Sequence, residues 1–337
     1  MKIKKGPFVR VCVTGGGALL GQGIIRSLKL SNLRTHIVAV DVNPLSAGLY
    51  WVNEAFLVPA ASSPLYVESI CALLHRSRPD ILLVGTDVEL AVLARVSSEL
   101  ERQFGTRVLV SSPEVVAIAD DKYSTAQFLV SNGFPAPASS LASSPVDVES
   151  LIATHGFPLI VKPRVGARSY GVSVVYDRVG LADAVAKLKN SVIQEYVGSD
   201  QQEYTASGLY FDSKCEAVII MRRDLRDGNT YRAYTVRDSI LEANVKRWTE
   251  SLKPYGPANF QFRIDKNGVA KVFEINGRFS GTTPLRAQAG FNEVEMSIRK
   301  IMWNQPIIPP IIRDLTIMRH WAETVIVPER KNSIQNA

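Results

Sequence analysis

The sequence is poor in cysteine. Cys12, Cys71 and Cys215 are its 3 thiols among 337 residues, odd in number and far apart. They lack metal-ligand spacing and cannot form a fully paired disulfide framework, so a reducing, cytoplasmic setting is expected. Long apolar runs are missing as well. No stretch approaches the roughly 20 residues a membrane span needs. The basic start, Met1-Lys2-Ile3-Lys4-Lys5, is cut off by Gly6-Pro7, and the apolar run beyond it is a strand, not a signal peptide. Basic blocks are scarce too. None is longer than Lys4-Lys5 or Arg222-Arg223, and none is interleaved with aromatics. A net charge of +7 spread this way fits small anions, or simply solubility, and not nucleic acid.

What is present is a 46% hydrophobic chain long enough for two or three domains. Its first hundred residues alternate short apolar strands with amphipathic helices. Val9–Val13, His36–Asp41, Ala55–Pro59, Ile81–Gly85 and Val108–Val110 read as strands, and Leu20, Ile24, Ile25 and Leu28 recur at helical spacing. This pattern predicts a parallel sheet covered on both faces. Beyond Pro113 come helices, then a Ser/Ala/Pro-rich stretch over 136–145 that reads as a linker or exposed strand. From Pro158 the strands are hairpin-linked and antiparallel in character, and the tail after Pro328 is polar and expected to fray.

Gly15-Gly16-Gly17-Ala18-Leu19-Leu20-Gly21 follows a strand and opens a helix, with Asp41 ending the next strand. That is the setting of a dinucleotide fingerprint, here in the spacing of short-chain reductases. Such enzymes need Tyr-x-x-x-Lys on a helix. The only match, Tyr210 to Lys214, straddles the Asp212-Ser213 turn between two strands. The expectation is therefore a tight turn and no NAD, with anion binding at the helix start left open.

Lys162 ends an apolar strand and precedes the loop Arg164–Gly171, an arrangement suited to a triphosphate, although no Walker A spacing follows. Taken alone, Lys162 reads as a snorkelling strand-end lysine. Glu274 and Asn276 stand two apart on a strand and share a face. Gln261 falls on the partner strand of the same hairpin. These three oxygen donors suit Mg²⁺ if nucleotide phosphates complete the octahedron; an ordinary strand running into an Asn-Gly turn is as good a reading of 274–277. Arg278 follows, placed to hold a phosphoryl group or oxyanion. Arg222, Arg223, Arg226 and Arg232 surround Asp227-Gly228-Asn229, read either as a loop over the site with one arginine on the substrate carboxylate or, equally, as an ordinary solvated loop. Asp87 and Glu89, beyond the strand ending in Gly85, are candidates for gripping an amine.

Asp121-Lys122, Pro158–Pro163, the loop to Gly171, Gln194–Val197, Glu203-Tyr204-Thr205 and Phe273–Gly281 occur in this order. Together they resemble the ATP-grasp superfamily, most closely carboxylate–amine ligases of the carbamoyl-phosphate-synthase large-chain type. The resemblance implies an α/β fold with a Rossmann-like pre-ATP-grasp domain over 1–112. A two-lobed α+β ATP-grasp domain follows, with a small lobe or lid over 113–197 and a large lobe with a metal-binding sheet over 198–330. It implies phosphate contacts from Lys122 and Lys162 beneath the loop of Gly166 and Ser169, and adenine held by the hinge Glu195-Tyr196-Val197. Glu203 would take the ribose hydroxyls, Gln261, Glu274 and Asn276 would hold Mg²⁺, and Lys162 and Arg278 would serve the phosphoryl transfer.

The activity implied is ADP-forming ligation of a small carboxylic acid to an amine, or less often a thiol, through an acylphosphate. ATP and Mg²⁺ would be required; nucleic acid and membrane would not, and a homodimer is compatible. The alternatives are carbamoyl-phosphate-synthase-like phosphorylation of bicarbonate or carbamate, and ATP binding without catalysis. Only one ATP-grasp unit is present, which argues against the full synthase. Gly277 stands where the family often has proline, suggesting a looser turn, and Arg263 where an apolar residue is commoner, suggesting a substrate contact.

Overall fold

The computed structural model describes residues 6–166, 170–327 and 334–337. Its first unit is β1 (Phe8–Val13), α1 (Leu19–Leu30), β2 (Arg34–Asp41), β3 (Glu54–Leu57), α2 (Tyr66–Ser77), β4 (Ile81–Leu83), α3 (Asp87–Phe104) and β5 (Arg107–Leu109). These strands are parallel, in the order β3-β2-β1-β4-β5. Val9, Val11 and Val13 pack towards Ile24, Ile25 and Leu28 of α1, while Cys12, Val38 and Val40 pack on the other face against Ile70 and Leu73. Alternate residues of one strand thus serve two helical layers, as a doubly covered sheet requires. The tail departs from the expectation of fraying: Gln335–Asn336 adds a parallel strand outside β3.

Helices α4 (Pro113–Asp120) and α5 (Lys122–Ser131) cross to the second unit. Ser112 and Asp121 cap them through their side chains, which explains the break at Asp121. The small lobe holds β6 (Ser139–Leu141), α6 (Pro145–His155), β7 (Leu159–Pro163), β8 (Ser173–Val175), α7 (Arg178–Lys187) and β9 (Ser191–Glu195). Its antiparallel order is β6-β9-β7-β8, so the Ser/Ala/Pro-rich stretch supplies a paired strand and not a linker.

The large lobe contains β10 (Glu203–Phe211), β11 (Lys214–Arg226), β12 (Asn229–Val236), α8 (Ser239–Leu252), β13 (Gly256–Ile264) and β14 (Ala270–Asn276). It closes with α9 (Thr283–Gln288), α10 (Glu293–Trp303) and the short edge strand β15 (Thr316–Met318). The sheet order is β14-β13-β10-β11-β12-β15. One face covers Trp248, Phe260, Phe262 and Val245; the other covers Leu285, Phe291 and Ile219. Phe279, Val294 and Ile298 join the core beneath β1 and α1, so the first unit and the large lobe share buried surface. That shared surface sets the geometry of the cleft between them.

Candidate functional site

The glycine turn after β1 is filled by its own chain. Gly17 N donates to Asp41 Oδ2 at 2.7 Å, and Asp41 Oδ1 accepts from Asn43 N at 3.0 Å and Ser46 Oγ at 2.8 Å. A Cβ on Gly17 would lie 2.1 Å from Ser46 Oγ, and one on Gly48 would lie 1.9 Å from the Gly16 carbonyl oxygen. Residues 41–48 therefore fold down over the turn, and Asp41 is engaged with them, not presented to a ribose. Glu89 is likewise internal, which corrects its reading as an amine contact. It is buried and accepts from Thr14 Oγ1 (2.6 Å), Thr86 Oγ1 (2.7 Å) and Tyr66 Oη (2.8 Å). Burial raises its pKa in spite of these three hydrogen bonds. Asp87, two residues earlier, turns the other way. It accepts from Arg278 Nε at 2.7 Å and so ties the start of α3 to the large lobe.

Two adjoining cavities, of about 180 and 630 Å³, run between the lobes and share Lys122, Gly166, Arg223, Gly228, Gln261 and Glu274 on their walls. The smaller lies under the lid. Lys162 is buried there, with Nζ donating to Gln194 Oε1 at 2.7 Å and to the Phe273 carbonyl at 3.3 Å. Gln194 is held in turn by Ser139 of β6, at 2.8 Å. Burial pushes the Lys162 pKa down to about 7; Glu274 opposes that and Lys122 adds to it. Lys122 opens α5, and its Nζ donates to the Gly166 carbonyl at 2.7 Å. Both ammoniums line the cavity from opposite elements, β7 and α5. Ser169 lies outside the described residues.

The hinge after β9 presents Glu195 and Val197 to the same cavity. The Glu195 carboxylate accepts from Lys271 Nζ at 2.8 and 2.9 Å, so its side chain is already engaged. The backbone N–H of Glu195 is bonded to Ala138 at 2.8 Å. Tyr196 packs beside Arg263, whose guanidinium carbon is 5.5 Å from the ring centre. Glu203 is buried, and both its oxygens are taken: Oε1 accepts from Arg223 Nη2 and Oε2 from Arg263 Nη2, each at 2.7 Å. Burial alone would raise its pKa, but the two guanidiniums outweigh that and hold it below the usual range. Arg263 is thus the partner of Glu203 in this state, in place of the expected substrate contact.

The hairpin β13–β14 sets Gln261 directly across from Glu274. Glu274 Oε1 accepts from Gln261 Nε2 at 2.9 Å and from Asn276 Nδ2 at 3.0 Å. The amide oxygens are turned outward, Gln261 Oε1 to Arg223 Nη2 at 2.6 Å and Asn276 Oδ1 to Arg278 Nη2 at 2.7 Å. Three oxygen-bearing side chains therefore form one patch with two arginines at its rim. Gly277 is closely packed and not loose. Its carbonyl accepts from Ser111 Oγ at 2.9 Å, and a Cβ would come within 2.9 Å of Val115 Cγ1.

The expected arginine loop is a strand hairpin, with only Asp227 and Gly228 at the turn. Strand alternation sends its arginines apart. Arg223 points into the cleft, whereas Arg222 stacks on Tyr234 at 3.9 Å and Arg226 and Arg232 lie over Tyr231. Arg319, beyond β15, also lines the larger cavity and carried no motif in the sequence.

Three family models match the chain in series. They are the PylC-like N-terminal domain over residues 14–109, the RimK-like ATP-grasp domain over 119–240, and ATP-grasp in the biosynthetic pathway with Ter operon over 187–320. Among curated relatives, the carbamoyl phosphate synthase large chain of Methanosarcina mazei is 21% identical over 310 residues, covering 83% of this chain and 28% of that protein. The corresponding chain of Methanocorpusculum labreanum is 24% identical, with 83% of this chain and 29% of that protein covered. The chain thus spans less than a third of the length of these relatives. Among solved structures, N5-carboxyaminoimidazole synthetase of Staphylococcus aureus with ADP superposes with a TM-score of 0.74 at 15% identity, covering 94% of this chain and 83% of that one. An L-amino acid ligase of Bacillus licheniformis superposes at 0.66 and 16%, covering 90% and 75%. The two ATP-grasp models join over residues 119–320, across both lobes, the first unit has its own match, and the fold agrees with an ATP-grasp domain over that span.

Proposed function

We propose that the protein is an ATP-dependent, ADP-forming carboxylate–amine ligase. The observation that carries this reading is the gathering of Lys122, Lys162, Gln261, Glu274, Asn276 and Arg278, from four separate segments, on two adjoining cavities between the lobes. The carbamoyl phosphate synthase relatives and the ADP-bound synthetase neighbour support it. The L-amino acid ligase favours an amine as the second substrate.

In this reading ATP enters under the lid, with its adenine against the backbone of 195–197 and its phosphates towards Lys122 and Lys162. The Glu274 patch fits Mg²⁺ in charge and donor type, provided both amides turn their oxygens from the arginines to the ion and the phosphates supply further ligands. Bound there, the ion would neutralise phosphate charge. The remaining work falls to the chain. A substrate carboxylate oxygen forms a bond to the γ-phosphorus as the bond to the ADP oxygen breaks, giving an acylphosphate. The amine then forms the C–N bond, inorganic phosphate departs with the electron pair of the broken C–O bond, and the amine's proton passes to solvent. No protein nucleophile is needed, and positioning with charge neutralisation accounts for the catalysis. Arg278 is poised for this by its ties to Asp87 and Asn276. Glu203 would reach a ribose only by releasing Arg223 or Arg263, which makes that contact a nucleotide-linked rearrangement.

ADP release with Mg²⁺-ATP, measured across amino acids, hydroxy acids, diacids and small amines, tests the reading. Substrate-dependent ADP formation that disappears in Glu274→Ala supports it. Unchanged ADP formation in that variant would overturn the metal assignment.

A further inference from the structure

The larger cavity has a corner that the phosphoryl transfer does not use. Arg319 enters it from the residue beyond β15, held by its backbone N–H donating to the Tyr231 carbonyl at 2.9 Å. One terminal nitrogen of its guanidinium donates to the Gly281 carbonyl. Its Nε is buried and has no hydrogen-bond partner among the described residues, and no carboxylate there pairs with it. Nε is shut off from the cavity, so the donor left for a bound acceptor is the second terminal nitrogen, which has no hydrogen-bond partner among the described residues. Burial, then the nearby charge of Arg26, pushes the Arg319 pKa down to about 10, so the corner already carries a surplus of positive charge.

The start of α1 adds to that surplus. Leu19 lies against Gly281, where a Cβ would come within 2.9 Å of Leu19 Cδ2. Ala18, at the N-cap, offers no side-chain cap, and of the first-turn N–H groups that of Gly21 is taken by the Gly85 carbonyl at 3.1 Å, so the positive end of a 12-residue helix is only partly compensated at this wall. The Ser280 and Thr282 hydroxyls, hydrogen-bonded to each other at 2.6 Å, border the same cavity, and Leu19 and Leu20 give it an apolar side. Arg278, by contrast, is already tied to Asp87 and Asn276 beside Glu274. The two arginines therefore serve different groups.

We propose that Arg319, with the first turn of α1, binds a free carboxylate on one of the two small substrates, distinct from the carboxylate that is phosphorylated. This rests on the ligase reading and narrows it. The substrate pair includes either an amino acid whose α-carboxylate stays free, or a diacid with one end unreacted.

The test uses the full chain, Mg²⁺-ATP, the common amino acids and small diacids. Each is compared with the form in which its spare carboxylate is converted to a carboxamide. In the wild type, capping should raise KM roughly 10- to 100-fold for the substrate that docks there, and whether the amine or the acid responds identifies the source. In Arg319→Met the capped and uncapped forms should have the same KM to within about twofold, with Arg319→Lys restoring part of the discrimination. Four results would overturn the proposal: productive substrates without a spare carboxylate, a capping penalty that survives in Arg319→Met, a loss confined to kcat and melting temperature, or MgADP binding with no ADP release from any amino acid or diacid. Failure of the wild-type chain to bind MgADP by calorimetry would sink the ligase reading instead. The two failures are thereby told apart.

Discussion

Two regions of this molecule present glycine beside charge at the end of a parallel or lid strand, and they behave oppositely. After β1, the glycine turn meets Asp41, but Gly17, Asn43 and Ser46 already satisfy that carboxylate. Gly48 packs on the turn so closely that no side chain fits between. After β7, Lys162, Pro163, Gly166 and Tyr170 border a cavity, and the facing sheet offers Glu274 with two amides and two arginines around it. A glycine-rich turn is a binding site only where its polar groups have been left for a ligand. The turn at residues 15–17 uses its polar groups to hold residues 41–48 and leaves no space beside them; the cleft's charges are bonded to one another but line a cavity.

The contrast predicts that changes in the cleft alter chemistry and spare stability, while changes at the turn do the reverse. The largest effect belongs to Glu274→Gln. ADP release should fall roughly 10³-fold as phosphate charge loses its counter-ion site, with the melting temperature close to wild type. A matching loss of melting temperature would break the contrast. Next is Lys162→Met, which should weaken MgADP binding about 10- to 100-fold through loss of a charged donor. Because the free-state pKa of Lys162 is lowered to about 7, its ammonium is present below that pH and lost as pH rises above it. Wild-type MgADP affinity should therefore decline between pH 6 and 9, roughly in step with that titration, and Lys162→Arg should flatten the profile. In the free protein the sign for stability is opposite. The unfolded chain holds the proton up to its ordinary value of 10.5, so the cost of burying Lys162 fades as pH climbs from 7 towards 10.5.

Smaller effects lie at the turn. Gly48→Ala should cost about 1–3 kcal/mol in urea unfolding, as backbone must shift to admit the methyl, while kcat per folded molecule stays at the wild-type value. Asp41→Asn should be mildest, about 1 kcal/mol from one poorer hydrogen bond, with ADP release unaltered. NADH fluorescence should show no binding in either the wild type or this variant. Binding to the wild type would restore the dinucleotide reading of the turn.

Much of the fold could be read along the chain because its signals are local. Apolar strands between amphipathic helices, and the hairpins at Asp212-Ser213 and 265–268, depend on periods and turns within a few residues. The pairing of Gln261 with Glu274 belongs to this class, since a hairpin fixes the register that sets them across from each other. The fate of the arginines does not. Arg222 and Arg223 are neighbours in sequence, yet strand alternation sends only Arg223 to Glu203 and Gln261. Asp87 and Glu89 were equivalent as acidic residues after a strand. The first turn of α3 aims one at Arg278 and buries the other among Thr14, Thr86 and Tyr66.

The sequence by itself determined the class of each half, the order of the motifs and the identity of the charged groups that meet in the cleft. Tertiary structure alone decided which of those groups are free. It closed the glycine turn with residues some 25 positions away, gave Glu203 two arginine partners, and tied Arg278 to a residue of the first sheet 191 positions earlier. It also brought Arg319 to the start of α1. The physical reason is that composition and periodicity specify what a side chain can bond to, whereas long-range packing specifies whether that bond is already made.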